Sequence, residues 1–204
     1  MSTFEQLAPY IQDFIYRERW DELREIQIAA CDVIFNTDNN LLLATGTASG
    51  KTEAAFLPAL TKIYKEPSSS VGILYISPLK ALINDQFFRL DNLLKHGNIS
   101  VCKWHGDVSP SVKNSLIKNP QGVLQITPES MESLLINKNM SCFRLFKDLR
   151  FIIIDEVHYF MGSPRGIQVL CQIERIQKLT NVIPRRIGLS ATLGDYDLAN
   201  KWLN

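Results

Sequence analysis

The chain has 204 residues, 46% hydrophobic and 21% charged, with a formal net charge of +1, which supports one well-buried core and a single domain. A balance so close to neutral gives no global attraction to nucleic acid, so any such partner must be argued from local residues. Four cysteines, Cys31, Cys102, Cys142 and Cys171, stand far apart with only three histidines beside them; this reads as free thiols in a reducing, cytoplasmic setting, not as a metal framework.

The N-terminal segment 1–38 has helical spacing, with Phe4, Leu7, Ile11 and Phe14 on one side and "WDELREIQIAACDVIF" after them. It is expected against one edge of a sheet. Its first residues, "MSTFEQLAPYIQ", lack the basic start and apolar run of a signal peptide, and no later stretch reaches membrane length. The short apolar run "LLLAT" then predicts a buried strand, followed by "TGTASGKT" (45–52) and a helix with Ala55, Leu57, Leu60 and Ile63 on its apolar side. Strand, small-residue loop and helix form the context of a phosphate loop: backbone N–H groups turn inward, Lys51 supplies charge and Thr52 a hydroxyl for magnesium. Thr45 stands where the usual signature has its first glycine, and Gly46, Thr47, Ala48, Ser49 and Gly50 complete the loop. The alternative is a Gly/Ser-rich turn that caps an ordinary helix.

Past the polar turn "KEPSSSVG", the runs "VGILYIS", "ISVCKW", "GVLQIT", "FIIID" and "RRIGLS" alternate with helical segments such as "SPLKALINDQFFRLDNLLK", with "KHGN" as a second clear turn. Runs that are apolar on both faces belong to parallel strands covered on each side, so the expected fold is α/β, a mostly parallel sheet with helices on both faces. Ligands gather at the carboxyl ends of such strands. "FIIIDEVH" delivers Asp155 and Glu156 there, where an aspartate can hold Mg²⁺ and a glutamate can polarise an attacking water. Alternatively the acidic pair merely opens a loop or caps the next helix. "SPLKAL" (77–82) and "TPES" (127–130) each place a hydroxyl residue and a proline at a strand-to-helix junction. Exposed helical N–H groups there can bind phosphate, with Ser77, Lys80 and Thr127 as added donors. Simple N-capping, with Pro78 or Pro128 in the first turn and Glu129 completing a box-like start beside Ser130, explains the same residues.

"TGTASGKT", "SPLKAL", "TPES", "DEVH" and "SAT" stand in the order of motifs I, Ia, Ib, II and III of superfamily 2 DExH-box helicases, and the resemblance runs from about Gln27 to Thr192. The connecting text, including "KTEAAFLPAL", "LYISPLKAL", "HGD" (105–107), "TPESMESLL" and "RIGLSAT", most resembles the large helicase-related (Lhr) branch. The resemblance implies a RecA-like, P-loop ATPase domain with ATP and Mg²⁺ as its ligands. It further implies that Gln27 reads adenine, the alternative being a polar residue on a helix surface. His158 would couple the hydrolysis site to Ser190, Ala191 and Thr192, or be a core histidine. The first-domain track for single-stranded DNA or RNA would run over Ser77, Pro78, Lys80, Thr127, Pro128, Glu129 and Ser130. Arg165 in "SPRG" is a candidate phosphate contact, and His105 a shaper of its turn. In such proteins a second RecA-like domain carries an arginine finger. None follows Thr192, so the chain is expected to be the first motor domain of a longer helicase, beginning at Met1: monomeric alone, outside membranes, and weak in hydrolysis. A non-unwinding superfamily 2 translocase or restriction or defence subunit is the alternative. A P-loop kinase or GTPase fits less well, for lack of a guanine-reading NKxD.

Overall fold

The computed structural model describes residues 2–46, 49–94 and 96–204. Thr47 and Ala48 of the small-residue loop lie outside them. Ten α-helices are described: α1 (Thr3–Gln6), α2 (Pro9–Arg17), α3 (Glu25–Asn36), α4 (Lys51–Lys65), α5 (Lys80–Leu94), α6 (Pro110–Lys118), α7 (Pro128–Asn137), α8 (Asn139–Phe146), α9 (Pro164–Thr180) and α10 (Tyr196–Leu203). The strands are β1 (Leu41–Ala44), β2 (Val71–Ile76), β3 (Val101–Trp104), β4 (Gly122–Ile126), β5 (Phe151–Ile154) and β6 (Arg185–Ser190). All six apolar runs of the sequence are strands, in one sheet of order β1-β6-β5-β2-β4-β3 whose neighbours all pair parallel.

Side chains alternate across a strand, so a strand covered on both faces must be apolar throughout. In β5, Phe151 and Ile153 enter the core under α3, α4 and α5, while Ile152 and Ile154 enter the one under α7, α8 and α9. Each fully buried isoleucine of this kind contributes roughly 1.5–3 kcal/mol. The α/β expectation with helices on both faces therefore holds.

The N-terminal segment departs from its expected form. The single face through Phe4, Leu7, Ile11 and Phe14 is split between α1 and α2, because Pro9 forces Ala8 into an extended conformation (φ −61°, ψ 144°). The segment lies chiefly on α4, and α3 also packs against the sheet's β1 edge as expected. The cause is α4 itself: every residue from Ala54 to Thr61 is buried, so the sheet alone does not cover it. The Ala8 N–H donates to Thr61 Oγ1 at 3.1 Å and pins this outer layer in place.

Backbone bonds continue past the strand ends and tie the loops of the carboxyl edge together. The Thr45 N–H donates to Ser190 O (3.3 Å), that of Asp155 to Ile76 O (2.8 Å) and that of Ser77 to Ile126 O (3.1 Å). The motif loops are thus fixed by the same ladder that builds the sheet.

Candidate nucleotide and nucleic-acid sites

Two clefts open along this carboxyl edge. The first, about 740 Å³, lies over β1, β6 and β5 and is lined by Gln27, Gly50, Lys51, Thr52, Asp155 and Glu156 among others. The loop after β1 closes without a glycine at its first position: Thr45 Oγ1 meets Ser49 Oγ at 2.6 Å, a side-chain bridge across the turn. The Lys51 ammonium donates to Thr45 O, and to Gly46 O at 2.7 Å. Gly50, left-handed at φ +85°, starts α4; a Cβ there would stand 2.9 Å from Gln27 Nε2, so only glycine admits the glutamine amide this close.

Gln27 is 2% exposed, which removes the surface alternative. Its Oε1 accepts the Arg24 N–H at 3.0 Å, so the side chain both steadies the start of α3 and lines the cleft beside the loop.

Asp155 is buried at the end of β5, with Oδ1 accepting the Glu156 N–H at 3.0 Å and Oδ2 accepting the Tyr75 hydroxyl. Burial raises its carboxyl above the ordinary range, against the lowering effect of the Tyr75 bond. Tyr75 is raised as well, first by burial and then by the Asp155 charge. Glu156 occupies the left-handed region at φ +49°, a conformation that costs an ordinary residue about 1–2 kcal/mol. The turn it makes begins the short 3-10 segment Val157–Tyr159 and brings His158 back toward the cleft. His158 Nδ1 lies 3.0 Å from Ser190 Oγ and 3.3 Å from Glu156 Oε2. Because the Ser190 hydroxyl donates to Thr192 O at 2.9 Å, Nδ1 must carry the proton in the pair with Ser190. One chain of contacts therefore runs from Glu156 through His158 and Ser190 to Thr192, past Ala191 on the cleft wall.

The second cleft, about 550 Å³, lies over β2, β4 and β3 and takes its lining from Pro78, Lys80, Trp104, Lys113, Glu129 and Ser130 among others. It gathers most of the "SPLKAL" and "TPES" candidates but sorts them. Lys80 faces the opening, its Nζ 3.3 Å from Asp107. Ser77, expected as an added donor, is fully buried, its hydroxyl turned to Leu79 O at 3.4 Å. The Thr127 oxygen accepts the Ser130 N–H (3.4 Å), so the hydroxyl caps α7. Pro128 is buried in the first turn of that helix.

Arg165 is a clamp between the two junctions. It bonds Glu129 through Nε (2.7 Å) and Nη2 (3.0 Å), and Nη2 also donates to Pro78 O at 2.7 Å. Burial alone would raise the Glu129 carboxyl, yet its bonds to Arg165 hold it below the ordinary value. His105 is buried just below the cleft, which favours its neutral form. Trp104 and Lys113 were not singled out from the sequence. The aromatic residue at the end of "ISVCKW" was the available signal.

Among the described residues no cluster of three or more His, Cys, Asp or Glu side chains could hold a metal. The four cysteines are free, and no described helix is long and apolar enough to cross a membrane.

A lysine-bearing loop and a buried carboxylate that share one cleft at the carboxyl edge of a parallel sheet define a P-loop nucleotide-binding domain of the RecA-like kind. Sequence comparison narrows the class: the DEAD/DEAH box helicase profile matches residues 24–200, and the chain belongs to that family. It is 36% identical over 170 residues to the Lhr helicase/probable uracil glycosylase of Mycolicibacterium smegmatis, covering 76% of this chain and 11% of that protein. It is 32% identical over 207 residues to the Lhr helicase/uracil glycosylase of Escherichia coli, covering 91% of this chain and 13% of that one. The structure of Mycobacterium smegmatis helicase Lhr bound to ssDNA and AMP-PNP superposes with a TM-score of 0.85 at 30% identity, covering 98% of this chain and 26% of that one. The chain thus spans a small part of the relatives it matches, and its likeness is to an Lhr-type motor domain.

Proposed function

We propose that this chain is the first motor domain of an ATP-dependent helicase, with Mg-ATP in the first cleft and a single nucleic-acid strand along the second. The observation that carries the reading is the convergence of Gln27 from α3, Lys51 and Thr52 from α4, and Asp155 and Glu156 from the end of β5 on one cleft. In this reading the loop N–H groups and Lys51 hold the β- and γ-phosphates, and Gln27 meets the adenine edge. The donor set suits magnesium: a hydroxyl and a carboxylate are hard oxygen ligands, and Mg²⁺ takes few protein ligands, keeping water and phosphate for the rest. Thr52 and Asp155 would hold it, and when bound it neutralises charge on the phosphate oxygens. Glu156 orients the attacking water, and its contact with His158 passes the state of the site to Ser190, Ala191 and Thr192.

The strand is read through its phosphates by Lys80, Ser130 and the N-terminal turn of α7, with no base contact that would confer sequence preference. The Arg165 clamp sets the spacing between the two helix starts. DNA is favoured over RNA because the Lhr relative in the ssDNA complex shares this domain. A second RecA-like domain of the parent protein supplies the arginine finger and the other half of the track, and the domain works in the cytoplasm.

Calorimetric titration of Mg-ATP into the wild-type chain and Lys51→Ala tests the assignment. Loss of one charge-assisted contact should weaken binding by about 1.5–3 kcal/mol, roughly ten- to more than a hundred-fold. Equal affinity would contradict it.

A further inference from the structure

We propose that Trp104, Lys113 and Lys138 form an additional phosphodiester subsite, which carries the strand from the starts of α5 and α7 out to the β3 edge of the sheet. The inference rests on the reading of the second cleft as the strand's path.

The Trp104 indole lines that cleft with 5% of its surface exposed. Two ammonium groups from different elements approach its ring: Lys113 of α6, with Nζ 5.8 Å from the centroid, and Lys138 at the joint of α7 and α8, at 6.0 Å. Each such contact is weak at an exposed site. Among the described residues neither lysine has a carboxylate partner, and the acids close to the cleft are engaged elsewhere: Asp107 with Lys80, Glu129 with Arg165 and Glu132 with Arg175. Two cations that approach one indole without a carboxylate partner leave their charge available to an external anion.

The setting selects a diester over a free phosphate. Lys80, Ser130, Ser133 and Lys113 line a single opening, so its donors can serve more than one phosphate of the same strand. Leu79, 48% exposed at the same opening, offers apolar surface to an unstacked base.

Fluorescence anisotropy of labelled oligo-dT, titrated across potassium chloride concentrations, decides the matter with three proteins: wild type, Lys80→Ala and the double variant Lys113→Ala/Lys138→Ala. Strands of about 5 and about 12 nucleotides bracket one binding site. The double variant should flatten the salt slope for the longer strand by about 1.4, two contacts at roughly 0.7 each, and leave the shorter strand's slope nearly unchanged. Lys80→Ala should flatten both by about 0.7. If Lys80→Ala has its effect and the double variant has none, the added subsite is overturned while the strand path stands. If neither variant changes binding, the path is overturned and the subsite with it. Displacement of the strand by inorganic phosphate that depends on Lys113 and Lys138, with an unchanged strand salt slope, would assign the cluster to a free anion and overturn the proposal. An unchanged melting temperature for both variants excludes misfolding as the cause.

Discussion

The two halves of the sheet's carboxyl edge treat charge in different ways. Over β1, β6 and β5, most polar groups already have internal partners: Lys51 lies on loop carbonyls, Asp155 between Tyr75 and a backbone N–H, and His158 on Ser190. Over β2, β4 and β3, the carboxylates are taken up by other groups while Lys113 and Lys138, which have no carboxylate partner among the described residues, approach an indole. The first arrangement holds one ligand geometry ready for chemistry, which needs sub-ångström placement. The second leaves cations without carboxylate partners, which suits a polyanion, where affinity is a sum of small, salt-sensitive contacts. One sheet thus separates a precise site from a permissive one.

If the first half is a hydrolysis site, the largest effect should follow from Glu156→Gln. The amide keeps the shape of the side chain but loses the base that orients water. Turnover in a protein that contains the second RecA-like domain should fall by about 10²–10⁴, with Mg-ATP affinity retained. Phosphate release at the wild-type rate would make Glu156 structural and dissolve the contrast between the halves.

A smaller effect concerns stability, and it sharpens the same contrast because the Asp155 carboxyl of the first half is raised on balance while the Glu129 carboxyl of the second is lowered. The folded chain binds the Asp155 proton more tightly than the unfolded chain, since its carboxyl is raised. That group therefore favours folding least when ionised, and the cost disappears as pH falls toward the ordinary carboxylate value of about 3.9. The melting-temperature difference between Asp155→Asn and wild type should move in the variant's favour as pH rises from about 4 to about 7. A difference that stays flat across that window would place the Asp155 charge in a well-solvated environment.

Much of this fold is legible in the sequence. The six strands announced themselves because a parallel strand covered on both faces must be apolar throughout, as "FIIID" is. The Gly-Lys-Thr loop and the acidic pair are legible as neighbours of one cleft because each is local in sequence and follows a strand of the parallel sheet. What sequence hid was the outcome of competition for partners. Ser77 reads as an added donor beside the helix start, and the ladder bond from its N–H to Ile126 O draws it inside. Arg165 looked like a phosphate contact, yet Glu129 and Pro78 O hold its guanidinium. Thr45 looked like a flaw in the loop, and Ser49 completes the turn through it. Trp104, Lys113 and Lys138 belong to three elements, and only the position of β3 at the sheet's edge brings them together.

The central claim is that the two ligands occupy the two halves separately, and amide hydrogen exchange of this chain tests it most directly. Mg-AMP-PNP should slow exchange in residues 49–54 and 155–159 and leave 79–83 and 128–133 unchanged. A single strand without nucleotide should do the reverse. Protection of the same segments by both ligands, or of the second cleft by the nucleotide alone, would contradict the account.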